Sequence, residues 1–297
     1  DLSKELGWTK EDAAKWRKIH FIACGTSHYA TVVAAHIMET LGNFEIRTEV
    51  ASEYRYRNIP IDEETLAVFV SQSGETADTL HAARLAKERG AKCLVITNVR
   101  GSTIHREVGE ALIPPAGPEI GVAATKTFTA QMTVLTLLGL YLAKLRGDLK
   151  PDTERRLTAA LMDIPGKLAT MLSKEKEIEA LARDFADARG FFFIGRGLAY
   201  PPALEGALKL KEISYLHAEA YPAGEMKHGP IALLDKELPV VALVPKNALW
   251  EKTISNIEES MARKSPIIAI ATEGDGEIGH YTKHVIFTPE TEPELFP

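Results

Sequence analysis

One pattern occurs twice along this amino-acid sequence. HFIACGTSHYA near residue 20 is echoed by FFFIGRGLAYP near residue 192, and LAVFVSQSGETADTL near residue 66 by PVVALVPKNALWEKT near residue 239. KCLVITNVRG is echoed by PIIAIATEGDG and EALIPP by HVIFTP, in the same order. Ordered self-similarity of this kind indicates a duplicated structural unit. Because 297 residues are enough for two domains of ordinary size, we expect two copies of one module, over residues 1–148 and 149–297.

Each copy alternates strand-like and helical segments. Short apolar runs bounded by Gly, Ser or Pro predict buried strands at residues 20–23, 66–70, 92–97 and 112–113. Apolar residues at helical spacing predict a helix over 76–89, with Gly90 just beyond it as a stop signal. A long apolar helix is predicted over Lys126–Arg146, followed by charged helical material from 152 to about 188. This alternation predicts an α/β fold of two tandem parallel-sheet sandwich modules with helices on both faces.

The charge balance limits the partners that the chain can bind. Acidic residues number 41 and basic residues 35, for a formal net charge of -6. We therefore expect no nucleic-acid partner and no membrane partner, and an anionic ligand would need a local pocket. The sequence contains no signal peptide, which favours a cytoplasmic location. Cys24 and Cys93 have no partner at metal-ligand spacing, so we predict reduced thiols and no metal.

A hydroxyl-rich segment follows the second predicted strand. Ser71-Gln72-Ser73-Gly74-Glu75-Thr76 lies between that strand and a helix, where open parallel sheets bind their ligands. The N–H groups and the positive dipole end of the helix suit a dianion. The segment has no Lys and no GxxxxGK[ST] pattern, which favours a metal-free monophosphate over a nucleotide. The alternative is that Ser73 or Thr76 merely caps the helix.

Two further observations bear on this phosphate loop. Thr26 and Ser27 follow the neighbouring predicted strand, so they could reach the same point. The second copy carries Pro245-Lys246-Asn247-Ala248 at the matching place, without the hydroxyl groups. We therefore expect one phosphate site in each chain.

A candidate catalytic set lies in the second copy. Glu205, Lys209 and Glu212 are four and three residues apart, which places them on one face of a helix, while Leu204, Leu208 and Leu210 are expected to point to the core. Two carboxylates and an ammonium group on a half-buried face can transfer protons, although an exposed ion-pair ladder has the same spacing. The segment from 218 to 234 is predicted to be a loop. Its His228 is either a group that titrates near neutral pH or an ordinary solvated histidine.

Four segments together resemble one known family. CGTS at 24–27, SQSGETADT at 71–79, EIGVAATKTFTAQ at 119–131 and EGALKLKEISYLHAEAYPAGEMKHGP at 205–230 are similar to the glucosamine-6-phosphate synthase family. The resemblance spans essentially the whole chain and covers the isomerase part of that family, which consists of two SIS (sugar isomerase) domains. SQSGET alone is typical of any SIS domain, whereas the segment from 205 to 230 is far more specific.

The resemblance implies an activity and a set of roles. The family converts fructose 6-phosphate to glucosamine 6-phosphate with ammonia from a glutaminase domain, and no cofactor or metal is implied. The positions that match its sugar-phosphate contacts are Thr26, Ser27, Ser71, Gln72, Ser73, Thr76 and Val122. Glu212 matches the base that moves a proton between C1 and C2, Lys209 the assisting lysine, and Glu205 the glutamate that supports ring opening. His228 matches the ring-opening histidine, which acts in the neighbouring subunit's site and so implies a homodimer.

Two parts of the family pattern do not occur in this sequence. The glutaminase domain is absent, and so is the C-terminal tail with its imine-forming lysine; we therefore expect the chain to be a piece of a longer protein. Two other functions remain open: a deglycase or deaminase of amino-sugar phosphates, and a non-catalytic sugar-phosphate sensor. The segment from 205 to 230 speaks against the first, and the proton-transfer set against the second.

Overall fold

The computed structural model describes residues 2–297, which divide into one compact unit ending at Glu154 and another from Arg155 to Pro297. The elements of the first unit are α1 (Leu2–Leu6), α2 (Lys10–Lys15), β1 (Lys18–Ala23), α3 (Gly25–Leu41), β2 (Glu45–Val50), α4 (Ala51–Tyr54), β3 (Thr65–Val70), α5 (Ala77–Glu88), β4 (Lys92–Ile96), α6 (Thr103–Val108), β5 (Ala111–Leu112) and α7 (Lys126–Arg146). The unit boundary falls within the next helix, α8 (Pro151–Ser173).

The second unit continues with α9 (Glu175–Arg183) and a set of elements that parallels the first unit. They are β6 (Gly190–Gly195), α10 (Tyr200–Ser214), β7 (His217–Pro222), β8 (Val240–Val244), α11 (Trp250–Met261), β9 (Ile267–Thr272) and β10 (His284–Thr288). Five short 3-10 helices lie among them, at Gly197–Ala199, Ala223–His228, Pro230–Leu233, Ile278–His280 and Pro293–Leu295.

Both units are built on a five-stranded parallel sheet of the same topology. The strand order is β2-β1-β3-β4-β5 in the first sheet and, from the other edge, β7-β6-β8-β9-β10 in the second. Each strand of the second copy therefore takes the place of the strand that it echoes in the sequence. The predicted duplication and the predicted α/β fold are both confirmed.

Both faces of the three central strands of the first sheet, β1, β3 and β4, are buried, because these strands are mainly apolar. All six residues of β3 are buried, as expected for a central parallel strand. Ile22, Phe69 and Val95 lie side by side across β1, β3 and β4 and belong to one core cluster with Leu80 and Ala83 of α5. Each such large side chain contributes roughly 1.5–3 kcal/mol when fully buried.

The second sheet separates two core clusters, one on each face. Phe192, Ile194 and Val240 pack with Trp250 and Ile254 of α11 on one face. The residues next to these in the strands point to the other face, where Phe191, Phe193, Val241 and Leu243 pack with Ala203 and Ala207 of α10. The second unit is therefore a layered sandwich, as the sequence predicts.

Helix α7 is a long, mostly apolar helix of the first unit. By length and composition it could cross a membrane, with a mean hydropathy of 1.3 in its most apolar window, but half of that window is buried within the protein. The helix packs along α3. These contacts are those of a core helix.

Three local predictions are wrong or incomplete. The segment from 218 to 234 is not a loop, because it contains most of β7 and the 3-10 helices Ala223–His228 and Pro230–Leu233. Strand β2 was not predicted, since it has no continuous apolar run: charged residues occupy every second position, at Glu45, Arg47 and Glu49. Of the three leucines assigned to the core, Leu210 packs against it, but Leu204 and Leu208 are only half-buried, because the small side chains of α10 face the sheet.

Candidate active site

The loop between β3 and α5 is held in one shape by its own backbone. Gly74 has φ +67°, a conformation that side chains other than glycine rarely adopt, and a Cβ there would lie 2.2 Å from the Ser102 Oγ. The Gly74 N–H donates to the Ser71 Oγ at 3.1 Å, and that oxygen lies 3.1 Å from the Thr76 Oγ1. The Glu75 N–H donates to the Ser73 Oγ at 3.2 Å. The hydroxyl groups are therefore held in place by hydrogen bonds within the loop.

The segment between β4 and α6 fixes this loop from the side. The Asn98 N–H donates to the Gln72 carbonyl oxygen at 3.1 Å, and the Thr103 N–H donates to the Glu75 carboxylate at 2.8 Å. That backbone hydrogen bond lowers the pKa of Glu75. These contacts hold the loop in place from a segment for which the sequence predicts no role in the site. Short sequence motifs do not reveal them, because the partners are 26 and 28 residues apart.

Thr26 and Ser27 lie in the first turn of α3, at the same edge of the sheet. Ala23 at the end of β1 pairs with Val70 at the end of β3, so the two following segments leave adjacent strands side by side. Ser27 and Ser71 are buried, whereas Thr26, Gln72, Ser73 and Thr76 are half-buried. Two helix N-termini thus open at the place where an anion is expected.

The capping alternative is weaker in the structure than in the sequence. Thr76 is the residue before α5, but its side chain makes no capping hydrogen bond and faces the Ser71 hydroxyl instead. The Ser73 hydroxyl accepts from Glu75, which precedes the helix. Neither hydroxyl group satisfies the first turn of α5, so the capping role does not explain why they are present.

Val122 lies apart from these residues. It is 98% exposed, so the structure does not pack it against the phosphate loop. Its segment is tied to α7 by Glu119, whose Oε2 accepts from the backbone N–H groups of Thr125 and Thr127 and from the Thr127 hydroxyl. Burial raises the pKa of Glu119, but these hydrogen bonds outweigh it and leave the pKa lowered.

Helix α10 brings the three predicted catalytic side chains together. The Lys209 Nζ lies 3.3 Å from the Glu205 Oε1 and 2.6 Å from the Glu212 Oε2. The exposed fractions of the side chains are 7% for Glu205, 17% for Lys209 and 33% for Glu212. An exposed ion-pair ladder would be solvated throughout, whereas here a buried carboxylate anchors an ammonium group that reaches a second, accessible carboxylate. Removing one partner of such a buried pair is costly, since the other charge is left desolvated.

His228 ends the 3-10 helix Ala223–His228 and is exposed. The following Gly229 has φ +132°, which turns the chain sharply. The described structure therefore divides the predicted site between the units: the phosphate loop belongs to the first, and α10 and His228 to the second. Among residues 2–297, no group of three or more His, Cys, Asp or Glu side chains is placed to hold a metal ion.

The fold and the loop together define a class: tandem parallel α/β sheet proteins with a hydroxyl-rich loop at the carboxyl edge of one sheet. The family model for the SIS domain matches residues 13–141 and 184–296. The chain belongs to the SIS domain family.

Within this family, the chain is similar to curated relatives that share one name. Glutamine–fructose-6-phosphate aminotransferase (isomerizing) from Thermus thermophilus is 50% identical over 280 residues, which are 94% of this chain and 46% of the relative. The protein of the same name from Methanosarcina mazei is 46% identical over 294 residues, 99% of this chain and 48% of the relative. The chain thus spans about half the length of the curated relatives that it matches.

Solved structures agree with this result. The C-terminal domain of glucosamine-fructose-6-phosphate aminotransferase from Francisella tularensis has a TM-score of 0.90 and 41% identity, over 95% of this chain and 80% of that chain. A glucosamine-6-phosphate deaminase from Thermotoga maritima has a TM-score of 0.74 over 97% of this chain and 86% of that chain, but only 20% identity, so it shows the fold alone. The predicted resemblance to the isomerase half of the synthase family is confirmed.

Proposed function

We propose that this chain is the isomerase half of a glucosamine-6-phosphate synthase, which converts fructose 6-phosphate and ammonia to glucosamine 6-phosphate. The observation that carries the proposal is the placement of Lys209 between a buried and an accessible carboxylate on α10. A protein that only bound a sugar phosphate would have no use for this costly arrangement. The identity to relatives with that printed activity supports the same reading.

The first unit binds the phosphate in this proposal. Ser71, Ser73 and Thr76 supply hydroxyl donors, with Ser27 beside them, and the N-terminus of α5 supplies backbone N–H groups. Gln72 of the same loop and Thr26 of the first turn of α3 are half-buried. Hydrogen bonds to a charged group contribute about 1.5–3 kcal/mol each, so a few of them account for tight binding without a metal.

The second unit moves the protons. Once ammonia has replaced the C2 carbonyl oxygen of the open-chain sugar as an imine, with loss of water, Glu212 takes the proton from C1. The imine nitrogen gains a proton in the resulting enolamine. Glu212 then returns a proton to C2 as the C1 hydroxyl loses its own, which leaves an aldehyde at C1 and an amine at C2. The Lys209 ammonium stabilises negative charge that develops on the sugar oxygens.

The proposed function also implies two protein partners, a glutaminase domain and a second copy of this chain. The ammonia comes from a glutaminase domain in the other half of the protein, and His228 opens the sugar ring in the site of a second copy, which makes the protein a homodimer. Its exposed position at the end of a short helix supports a role outside its own unit. The protein works in the cytoplasm, where its phosphorylated substrate is found.

The test uses the full-length protein with fructose 6-phosphate and ¹⁵N-labelled ammonia. We expect glucosamine 6-phosphate labelled at the C2 nitrogen. Lys209→Met should lower its formation by at least about 10²-fold, and Lys211→Met, on the exposed face of the same helix, should not change it. Binding of fructose 6-phosphate without any product would favour the sensor. Net breakdown of glucosamine 6-phosphate with release of ammonia would favour the deaminase.

A further inference from the structure

We propose that Arg196, Asn256, Glu259 and Lys227 form a positioning network that sets the place of His228. The network lies within the second unit and joins three elements: the turn after β6, helix α11 and the 3-10 helix Ala223–His228. The inference rests on the proposed function, because it assigns a task to the segment that carries the ring-opening histidine.

The network is a continuous chain of polar contacts. The Arg196 Nε donates to the Asn256 Oδ1 at 3.0 Å, and the Asn256 Nδ2 donates to the Glu259 Oε2 at 3.2 Å. The other oxygen of Glu259 lies 2.7 Å from the Lys227 Nζ. Lys227 is the residue directly before His228. The arginine is thus connected to the histidine segment through three contacts.

Arg196 also contacts the start of the same segment. A Cβ at Gly224 would lie 2.9 Å from a terminal nitrogen of the Arg196 guanidinium group. Glycine at this position therefore allows the guanidinium to pack directly on the backbone of the 3-10 helix. The segment is held at Gly224 by this packing and at Lys227 by the ion pair.

Apolar contacts orient the remaining side chains. Ala223 and Met226 are fully buried in the core cluster that includes Ile254 and Ile257 of α11. With these two side chains inside and Lys227 paired, His228 is the residue left exposed at the end of the helix. A histidine used in acid–base catalysis must stand within hydrogen-bond reach of its target, and a displacement of about 1 Å can cost about 10²-fold in rate.

Asn256 indicates that the network is more than a surface ion pair. It is only 4% exposed and lies in α11 between Ile254 and Ile257, where an apolar residue would fit the helix pattern. A buried amide is unfavourable unless both of its ends are hydrogen-bonded. Both are, one to Arg196 and the other to Glu259, so the amide transmits the geometry of one to the other.

The experiment separates ring opening from the later proton transfer. Fructose 6-phosphate closes its ring through the C5 oxygen, whereas 5-deoxyfructose 6-phosphate lacks that oxygen and stays open. Full-length protein and variants are incubated with each sugar and with ammonia in D₂O, and deuterium entering C1 is measured. Glu259→Ala and Lys227→Met remove the ion pair from its two sides, and Lys227 is exposed enough that its loss will not unfold the protein. Glu258→Ala, at an exposed neighbouring position of α11, is the matched control.

We expect both test variants to exchange fructose 6-phosphate about 10–100-fold more slowly and the open-chain sugar at the wild-type rate, while the control is unchanged with both. An equal loss with both sugars, or no loss with either, would overturn the positioning role. If the wild-type protein exchanges neither sugar, the proposed function itself is overturned and this inference falls with it.

Discussion

The loops that follow β3 and β8 occupy the same place in their sheets but differ in chemistry. The first presents hydroxyl groups and backbone N–H groups and has no cation of its own. The second carries Lys246, whose Nζ lies 2.8 Å from Glu277 and 3.5 Å from Asp275, above the Trp250 ring. The hydrogen bond to Glu277 raises the pKa of Lys246. A lysine at a sheet edge is therefore no sign of an anion site when carboxylates already neutralise it.

A cleft of about 730 Å³ next to this second loop extends the contrast. It is lined by Lys246 and Arg156 among others, and the Arg156 guanidinium is paired with Glu292 and Glu294. Each of the two cations is thus held by two carboxylates. The cleft is large enough for a sugar phosphate, but the charges of these two cations are already compensated.

The helix after the first echoed strand, α3 in the first copy and α10 in the second, also differs in chemistry, but here the second copy carries the functional groups. Aligned on the echo of HFIACGTS with FFIGRGLA, which pairs Gly25 with Gly197, Glu205, Lys209 and Glu212 fall at Val33, Ile37 and Thr40 of α3. Val33 and Ile37 are buried, and α7 packs along that helix. The first copy thus uses this face for packing, while the second uses it for charge. The face that carries the proposed catalytic groups in the second copy is therefore a packing face in the first.

The largest expected effect comes from making the first loop resemble the second. Ser71→Ala with Thr76→Ala removes two hydroxyl donors, each contributing about 1.5–3 kcal/mol toward a charged ligand. We expect hexose 6-phosphate affinity to fall by about 10²-fold or more, measured by calorimetry. Unchanged affinity would show that the phosphate binds elsewhere.

A second difference between the copies concerns acid stability. His20 of β1 is 1% exposed, and burial lowers its pKa to about 4, from an ordinary value near 6.5; its echo in the second copy is Phe192. Between these pH values the unfolded chain binds a proton that the folded chain does not. The contribution of His20 to the free energy of unfolding is therefore fully present above pH 6.5, and about 3 kcal/mol of it is lost as the pH falls toward 4.

His20→Phe replaces the histidine by the residue of the other copy and should remove this part of the pH dependence. Urea unfolding of both proteins between pH 7 and pH 4.5 measures the effect. The loss of the hydrogen bond between the His20 Nδ1 and the Tyr54 hydroxyl, 3.0 Å apart, adds a constant offset. The same slope with pH in both proteins would exclude His20 as its source.

The smallest effect is expected at the second loop. Lys246→Met removes the cation from the cleft, and its pair with the exposed Glu277 contributes no more than about 1 kcal/mol to stability. The buried Asp275 keeps its hydrogen bonds from the Trp250 indole and the Glu277 backbone N–H. Because the compensated charge does not serve the sugar phosphate, hexose 6-phosphate affinity should change by less than about twofold. A large loss of affinity in the same calorimetric assay would place an anion site in the second copy.

The sequence predicts those parts of the molecule that local pattern controls. The apolar runs of β3 and β8 and the spacing of Glu205, Lys209 and Glu212 depend on neighbouring residues, and the structure has them as expected. Strand β2 was missed because its exposed face is polar, and β7 because Pro and Gly residues surround it. The Lys227–Glu259 contact joins residues far apart in the sequence, so no spacing rule could have found it.

The division of labour between the two copies is tested most directly at Glu212. Glu212→Gln keeps the shape of the side chain and removes the base, so fructose 6-phosphate should bind with unchanged affinity. Deuterium entry at C1, measured with saturating sugar and ammonia, should fall by about 10²–10⁴-fold. Exchange at the wild-type rate in this variant would contradict the assignment of proton transfer to α10, and a matching loss of affinity would contradict the separation of binding from chemistry.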